Sequence, residues 1–578
     1  MDKLKSFIKK LFTSKSLKIV NYIFYVLAIA IFEFGYCNHT FTERLMQGEV
    51  TSFYFSICRG VIYIALLLLI FFVNKRFDFK EIEESFSKKT KKIIILTYLA
   101  VVTIIALYWI FRTITTTGTV MIMPQLSMLL LTILGGFISV IYMSSNYTSN
   151  MVSIVLLGIV LAITCSTYHV IDEKKHFMEA YNISYFNLDF GNPVVDKQFM
   201  EEIPRGTHYT TMADYYKVQY NYEKGQIPEN DEIDSSPASY NPILYIPSAL
   251  GIFLGRILKG SVADVFYLGR IMNLFAYVAL AILVLKIMPY KKNITFALLL
   301  LPMIICQAGT YTPDSLGMLL ILLFVAYCFK LYSDKENITF RQLMLLVFLY
   351  CMTLTFKSMS YFFIGFLIFI LPIKEIIKKY NKKILILILF AIALLGIIML
   401  IQPIGDISGG DPRGGETGMI PQLKNMIEHP TIILKVIFNH VTGTLLNYNW
   451  LSDMNFYGFF SLNAKWIFLI MLIYYIMIAL KDDSINFGKK EKTIILITFL
   501  GIYGMTSAVL YLTFTPIGSE VLTGYSSRYL FPIILLVLIC VSNDKLKNND
   551  NKENEIIKIN FINNLFIIVS LIGAIFKW

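Results

Sequence analysis

The chain has 578 residues, 56% of them hydrophobic and 16% charged, and carries a net charge of +12. A soluble domain is about a quarter charged; here the apolar residues fall in blocks of about 17–25, the length that crosses a hydrocarbon core about 30 Å thick. The lysines lie between those blocks, so the positive charge marks the cytoplasmic loops of a membrane protein rather than a nucleic-acid-binding surface.

Residues 1–18 bring Lys3, Lys5, Lys9, Lys10, Lys15 and Lys18 together with Leu4, Phe7, Ile8, Leu11 and Phe12 on one helical face. This reads as a cytoplasmic interfacial amphipathic helix. A cleaved signal peptide does not fit, because Phe34-Gly35-Tyr36 before Cys37 offers no small-x-small site. Spans are expected near 19–37, 54–73, 92–111, 119–143 and 150–167. They resume near 265–288, 294–310, 314–332, 341–357, 359–374 and 384–402, and finish near 466–480, 493–514, 528–542 and 559–576. The fold expected is therefore all-α and polytopic, with about 14–15 transmembrane helices. Its parts are a four-span module over 19–149, a core over 150–402 with a long outer loop at 168–264, a second outer loop at 403–465, and C-terminal spans over 466–578. The seven cysteines lie within or at the ends of the apolar blocks with no CxxC spacing, as packing residues do.

Basic clusters fix the orientation. Lysines crowd 74–92, 374–383, 481–492 and 543–558, and the positive-inside rule places all four loops in the cytoplasm. Parity then puts 168–264 and 403–465 outside. One further apolar block, Pro242 to Leu258, would reverse that assignment if it crossed. Pro242, Pro247, Gly251 and Gly255 suit an irregular helix lying in the outer interface.

The chemistry-bearing residues sit at the ends of these blocks. Asp172 and Glu173 follow the fifth span by a few residues, where partial desolvation makes a carboxylate a usable general base; the plainer reading of Asp172 is a helix N-cap. Tyr240 and Tyr245 precede the interface helix, either to stack on a sugar or lipid or as part of an aromatic belt. Asp314 follows Pro313 at the start of a span, again a natural cap. Lys357 and Tyr361 lie at the outer end of a hairpin, and Arg528-Tyr529 opens another span. An arginine at the outer edge runs against the charge rule, which makes Arg528 a candidate ligand for an anionic group, and its planar fork suits phosphate. Asp172, Glu173, His176, Asp314, Lys357 and Arg528 come from separate segments, yet all fall at one depth on one side.

Their order carries a resemblance. Asp172-Glu173-x-x-His176, Tyr240-x-Pro242-x-x-Tyr245-x-Pro247, Leu268-Gly269-Arg270, Pro302 through Gln307, and Tyr311 to Asp314 come first. Lys357-x-x-x-Tyr361, Pro421-Gln422 with His429-Pro430, and Gly524-x-x-x-Arg528-Tyr529-x-x-Pro532 follow. Over about 150–542 this set resembles the bacterial membrane-protein family of domain of unknown function 2142, which in turn looks like a branch of the C-type (GT-C) glycosyltransferases. The resemblance implies a GT-C-like helical bundle in the bacterial cytoplasmic membrane. It implies a polyprenyl-phosphate-linked sugar as donor, and an envelope glycan, lipid or protein as acceptor on the non-cytoplasmic face. Asp172, or Glu173 beside it, would be the base. Arg528 and Lys357 would meet the lipid phosphate, and His176, Tyr240, Tyr245, Asp314, Tyr361 and Tyr529 would line the donor and acceptor. Asp172, Glu173, His176 and Asp314 are also a possible ligand set for Mg2+ or Mn2+. Readings from other classes are a transporter or flippase of a lipid-linked glycan and a non-catalytic scaffold of envelope assembly. A transporter is disfavoured by charges gathered at one face and by the lack of a sequence repeat.

Overall fold

The computed structural model describes residues 14–49, 52–76, 89–117, 122–187, 216, 240–401, 414–447, 465–541 and 552–577, apart from positions 166, 169, 171, 358, 359 and 483. The described residues contain helices and no strand. Most of the expected helix at 1–18, most of the 168–264 loop and much of 543–558 lie outside them.

The N-terminal part comprises α1 (Ser14–Ala30), which runs on as a π-helical stretch Ile31–Cys37, then α2 (His39–Met46), α3 (Ile57–Arg76), α4 (Lys89–Thr117), α5 (Met123–Ile141) and α6 (Tyr147–Ser153). Of these, α1, its π-helical extension, α4, α5 and α6 share one apolar core with the rest of the chain. A buried ion triad joins α3 to that core. Arg59 on α3 meets Glu33 at 2.9 Å and, at 3.4 Å, Asp264 at the start of a core helix. Buried charges persist only when paired in this way.

The core begins with α7 (Val155–Thr164), α8 (Glu173–Ser184), α9 (Ile246–Ile257), which follows a 3-10 turn at Pro242–Tyr245, and α10 (Val262–Ile287). A reciprocal capping box starts α10: Asp264 N donates to Ser261 Oγ at 3.1 Å, and Ser261 N to the Asp264 carboxylate at 2.9 Å. At twelve residues, about 18 Å, α9 is too short to span a bilayer. It packs against α10 and α8 and leaves Ile246, Leu250 and Ile257 exposed. Gly251 allows that approach, since a Cβ there would strike the Leu268 backbone of α10.

Next come α11 (Lys292–Leu299), α12 (Pro302–Ala308), α13 (Asp314–Ser333), α14 (Phe340–Thr353), α15 (Ile373–Tyr380) and α16 (Ile384–Ile401). The single span expected at 294–310 is thus two short helices. Pro302 lacks an N–H and its ring blocks continuation of the preceding turn. The span expected at 359–374 is also different: Phe362–Ile370 is a 3-10 helix that ends at Leu371-Pro372. It packs against a later helix, where Gly501 leaves room for the Phe363 ring.

The last helices are α17 (Met419–Glu428), α18 (Thr431–Gly443), α19 (Lys465–Lys481), α20 (Lys489–Thr513), α21 (Phe531–Cys540) and α22 (Lys552–Lys577). Nine helices among the described residues are long and apolar enough to cross a membrane. With the shorter apolar helices Ile57–Phe72, Phe340–Thr353, Leu469–Lys481 and Ser527–Cys540 the described residues supply thirteen, against the expected 14–15.

The bundle has two chemically different ends. At one, Lys291 is fully buried, and its ammonium donates to the carbonyls of Ala479 (3.2 Å), Asp482 (2.6 Å) and Val541 (3.3 Å), tying together the closing turns of α19 and α21. Lys292 and Lys481 border the cleft beside Lys291, and Lys379 donates to the Ile338 carbonyl just beyond the C-terminal end of α13. At the other end, where α13 and α21 begin, lies the candidate site.

Candidate functional site

Five separate segments bring Asp172, His176, Tyr240, Tyr245, Asp314, Lys357, Arg528 and Tyr529 to one place. Asp314 is the hub. It is the first residue of α13 but does not cap it. Its carboxylate accepts from Tyr240 Oη at 3.1 Å and faces Lys357 Nζ at 3.3 Å and Arg528 Nε at 3.4 Å. Asp314, Lys357 and Arg528 each expose less than a tenth of their side chains. A carboxylate buried this deeply requires such partners.

Asp172 is the open member, with 28% of its side chain exposed. It stands before α8 at φ 62°, the left-handed region, which aspartate tolerates better than most residues but which still stores strain. Its side chain makes no capping hydrogen bond. The carboxylate instead turns toward Arg528, with Nη2 and Oδ2 3.9 Å apart. The cap reading is therefore set aside for both aspartates.

Lys357 also adopts a left-handed backbone, φ 52°, in the turn after α14. That turn delivers the ammonium between Asp314 and the Tyr529 ring, whose centroid is 3.8 Å away, a cation–π distance. Phe356 lies 5.1 Å from the same ammonium and stacks on Tyr361 at 5.2 Å. The Tyr361 hydroxyl donates to the Tyr529 carbonyl at 3.1 Å, so Tyr361 fixes the Arg528-Tyr529 turn rather than lining the opening. Burial pushes the Lys357 ammonium down to about 7 and Arg528 pushes the same way, against the pull of Asp314.

His176 sits one turn into α8 and bonds through Nδ1 to Tyr245 Oη at 2.8 Å. Its ring meets Tyr240 edge-on at 5.3 Å. Burial lowers it to about 4, so the imidazole is neutral near pH 7.

Glu173 goes elsewhere, and its pairing with Asp172 as an alternative base is corrected by the geometry. One residue along a helix turns a side chain by about 100°. The Glu173 carboxylate accordingly faces the core, where Arg270 binds it through Nε (2.9 Å) and Nη2 (2.7 Å), both side chains fully buried. Arg270 Nη1 also donates to Ala162 O (2.9 Å) and Cys165 O (2.6 Å), and Tyr311 N donates to Glu173 (3.2 Å). This network locks α7, α8, α10 and the turn that leads into α13 together beneath the site. Sequence reasoning saw Arg270 only as part of a recurring motif; an arginine deep within an apolar block was the available signal of a buried carboxylate partner.

Among the described residues no group of three or more His, Cys, Asp or Glu side chains is placed to hold a metal ion. Glu173 is occupied by Arg270, His176 by Tyr245, and Asp314 by two cations.

The arrangement offers a partly exposed carboxylate, Asp172, beside Arg528, with Lys357 and the same arginine both within a few ångströms of the Asp314 carboxylate, walled by tyrosines. Helices of membrane-spanning length around a polar site at one end define a multi-pass membrane protein. The chain belongs to the predicted membrane protein family DUF2142, whose model matches residues 155–537. That stretch contains every member of the cluster and leaves α1–α6 outside. No curated protein and no solved structure matches the chain.

Proposed function

We propose that the protein is a membrane glycosyltransferase that moves a sugar from a polyprenyl-phosphate donor to a hydroxyl of a cell-envelope acceptor on the non-cytoplasmic face. The observation that carries this reading is the placement of Arg528 and Lys357 beside the one Asp314 carboxylate, with the more exposed Asp172 3.9 Å from the same arginine. Phosphate recognition needs cations with fixed geometry, and Asp314 fixes both. The site lies at the end remote from Lys291, Lys292, Lys379 and Lys481, which favours the outer face.

In the reaction the acceptor oxygen attacks the anomeric carbon and its proton passes to Asp172. The bond from that carbon to the phosphate oxygen breaks, and the electron pair leaves with the lipid phosphate, inverting the anomeric centre. Arg528 and Lys357 stabilise the charge developing on the phosphate. Tyr240, Tyr245 and neutral His176 supply hydroxyl and ring surfaces suited to a sugar.

The test is transfer from a synthetic polyprenyl-phosphate sugar by the protein in liposomes. Wild type should release free polyprenyl phosphate and glycosylate an added envelope extract, and Asp172→Asn should do neither while folding normally. Turnover by Asp172→Asn at the wild-type rate removes Asp172 as the base. Movement of intact donor between leaflets without cleavage identifies a flippase instead.

A further inference from the structure

The segment 403–465 reads from sequence as an outer loop, yet its described part is a helical hairpin, α17 and α18, set against a spanning helix. α18 runs antiparallel to α20. Ile432 and Val436 pack on Tyr511 near the end of α20. Farther along, His440 Nε2 bonds Ser507 Oγ at 2.8 Å and its ring stacks on Tyr503 at 5.1 Å. Thr444 Oγ1 reaches Tyr503 Oη at 2.7 Å. From Tyr511 to Tyr503 is a descent of about 12 Å along α20.

The face of α20 that α18 covers continues beyond it. Leu496 and Leu500 lie in register with Tyr503, Ser507 and Tyr511 by the helical repeat, and both are exposed. That lower face belongs to a helix long and apolar enough to cross the bilayer, so it meets lipid. α18 thus occupies the same flank, higher up.

α18 itself has three faces. Ile432, Val436 and His440 are buried against α20. Lys435, Asn439 and Thr442 form a polar edge, with Lys435 paired to Glu520 at 2.5 Å and Asn439 Nδ2 donating to the Glu520 carbonyl at 3.0 Å. Leu434, Ile437 and Phe438 form an apolar face, with Phe438 68% exposed. On α17, Ile420, Leu423 and Ile427 likewise point outward on one side, Ile427 at 80% exposure. Polar bonds directed at the neighbouring helix, apolar residues outward and a charged edge to one side are the pattern of a helix held in the interface of a bilayer.

We infer that the α17–α18 hairpin is inserted into the membrane leaflet at the site end, with Leu434, Ile437 and Phe438 of α18 and Ile420 and Ile427 of α17 against acyl chains, and the Lys435–Glu520 edge toward water. The inference is independent of the proposed chemistry. It gives the site a lipid-facing flank, because His440 also meets Tyr525 edge-on at 4.7 Å, and Tyr525 meets Tyr529 at 5.4 Å.

Spin labels at Phe438→Cys, Ile427→Cys and Lys435→Cys in the full chain, reconstituted in phosphatidylglycerol–phosphatidylethanolamine vesicles, test it. Collision rates with oxygen, which partitions into lipid, are compared with those of an aqueous nickel chelate. The signal of the labelled parent, from its native cysteines, is subtracted. Labels at 438 and 427 should collide with oxygen severalfold more often than with nickel, and the label at 435 should show the reverse. Preferential collision with nickel at 438 and 427 overturns the inference by placing the hairpin in water. Protection from both reagents overturns it too, since a second copy or another protein would then cover this face.

Discussion

Lys357 holds its ammonium 3.3 Å from the Asp314 carboxylate although its own backbone sits at φ 52°. A left-handed lysine costs energy that only a fixed partner offsets, and burial leaves its proton loosely held, near 7.

The pH dependence of anion binding follows from that value. A bound phosphate monoester favours charged Lys357 and raises its pKa. Affinity is then full below pH 7 and falls as pH rises through 7, by at most about tenfold per unit, until the pKa of the bound state is reached. Titration of polyprenyl-phosphate binding from pH 6 to pH 9 should show this decline, and Lys357→Arg should flatten it. A wild-type profile already flat over that range separates Lys357 from the anion.

Removing one member of the Glu173–Arg270 pair strands the other in the core. Glu173→Ala should therefore lower stability by about 3–5 kcal/mol, read as a large drop in melting temperature in detergent. Asp172→Asn, one residue earlier and partly exposed, should leave that temperature nearly unchanged. Equal melting of the two variants contradicts the division of the adjacent carboxylates into structural and functional roles.

Acid should destabilise the protein through His176. Its folded value of about 4 lies below the ordinary 6.5, so the unfolded chain takes up a proton first. Stability present above pH 6.5 is lost as pH falls toward 4, on the order of 3 kcal/mol in all. Thermal unfolding at pH 7 and pH 4.5 should show the loss in wild type and less of it in His176→Gln. An identical loss in both assigns the acid response to other groups.

Much of this was legible in the sequence because membrane topology constrains so few variables. Block length and lysine placement put Asp172, Tyr240, Asp314, Lys357 and Arg528 at one end of the bundle, and they meet there. Reading Pro242–Leu258 as an interface helix agrees with the short α9. What hydropathy does not carry is side-chain direction and local breakage. Asp172 and Glu173 are equivalent to any window average, yet the helical turn sends one to the opening and the other to Arg270. Pro302 and the 3-10 stretch at Phe362–Ile370 interrupt blocks that look continuous. α18 shows the converse limit: its apolar face is too short to register as a span, so its segment reads as a loop.

In the proposed reaction Arg528 binds the lipid phosphate while Asp172 acts only as the base. Equilibrium binding of polyprenyl phosphate to the purified protein at pH 7 tests it most directly, comparing wild type, Arg528→Ala and Asp172→Asn. The account predicts binding by wild type, at least tenfold weaker binding by Arg528→Ala, and binding by Asp172→Asn as tight as wild type or tighter. Absence of binding by wild type, or equal affinity in Arg528→Ala, would contradict it.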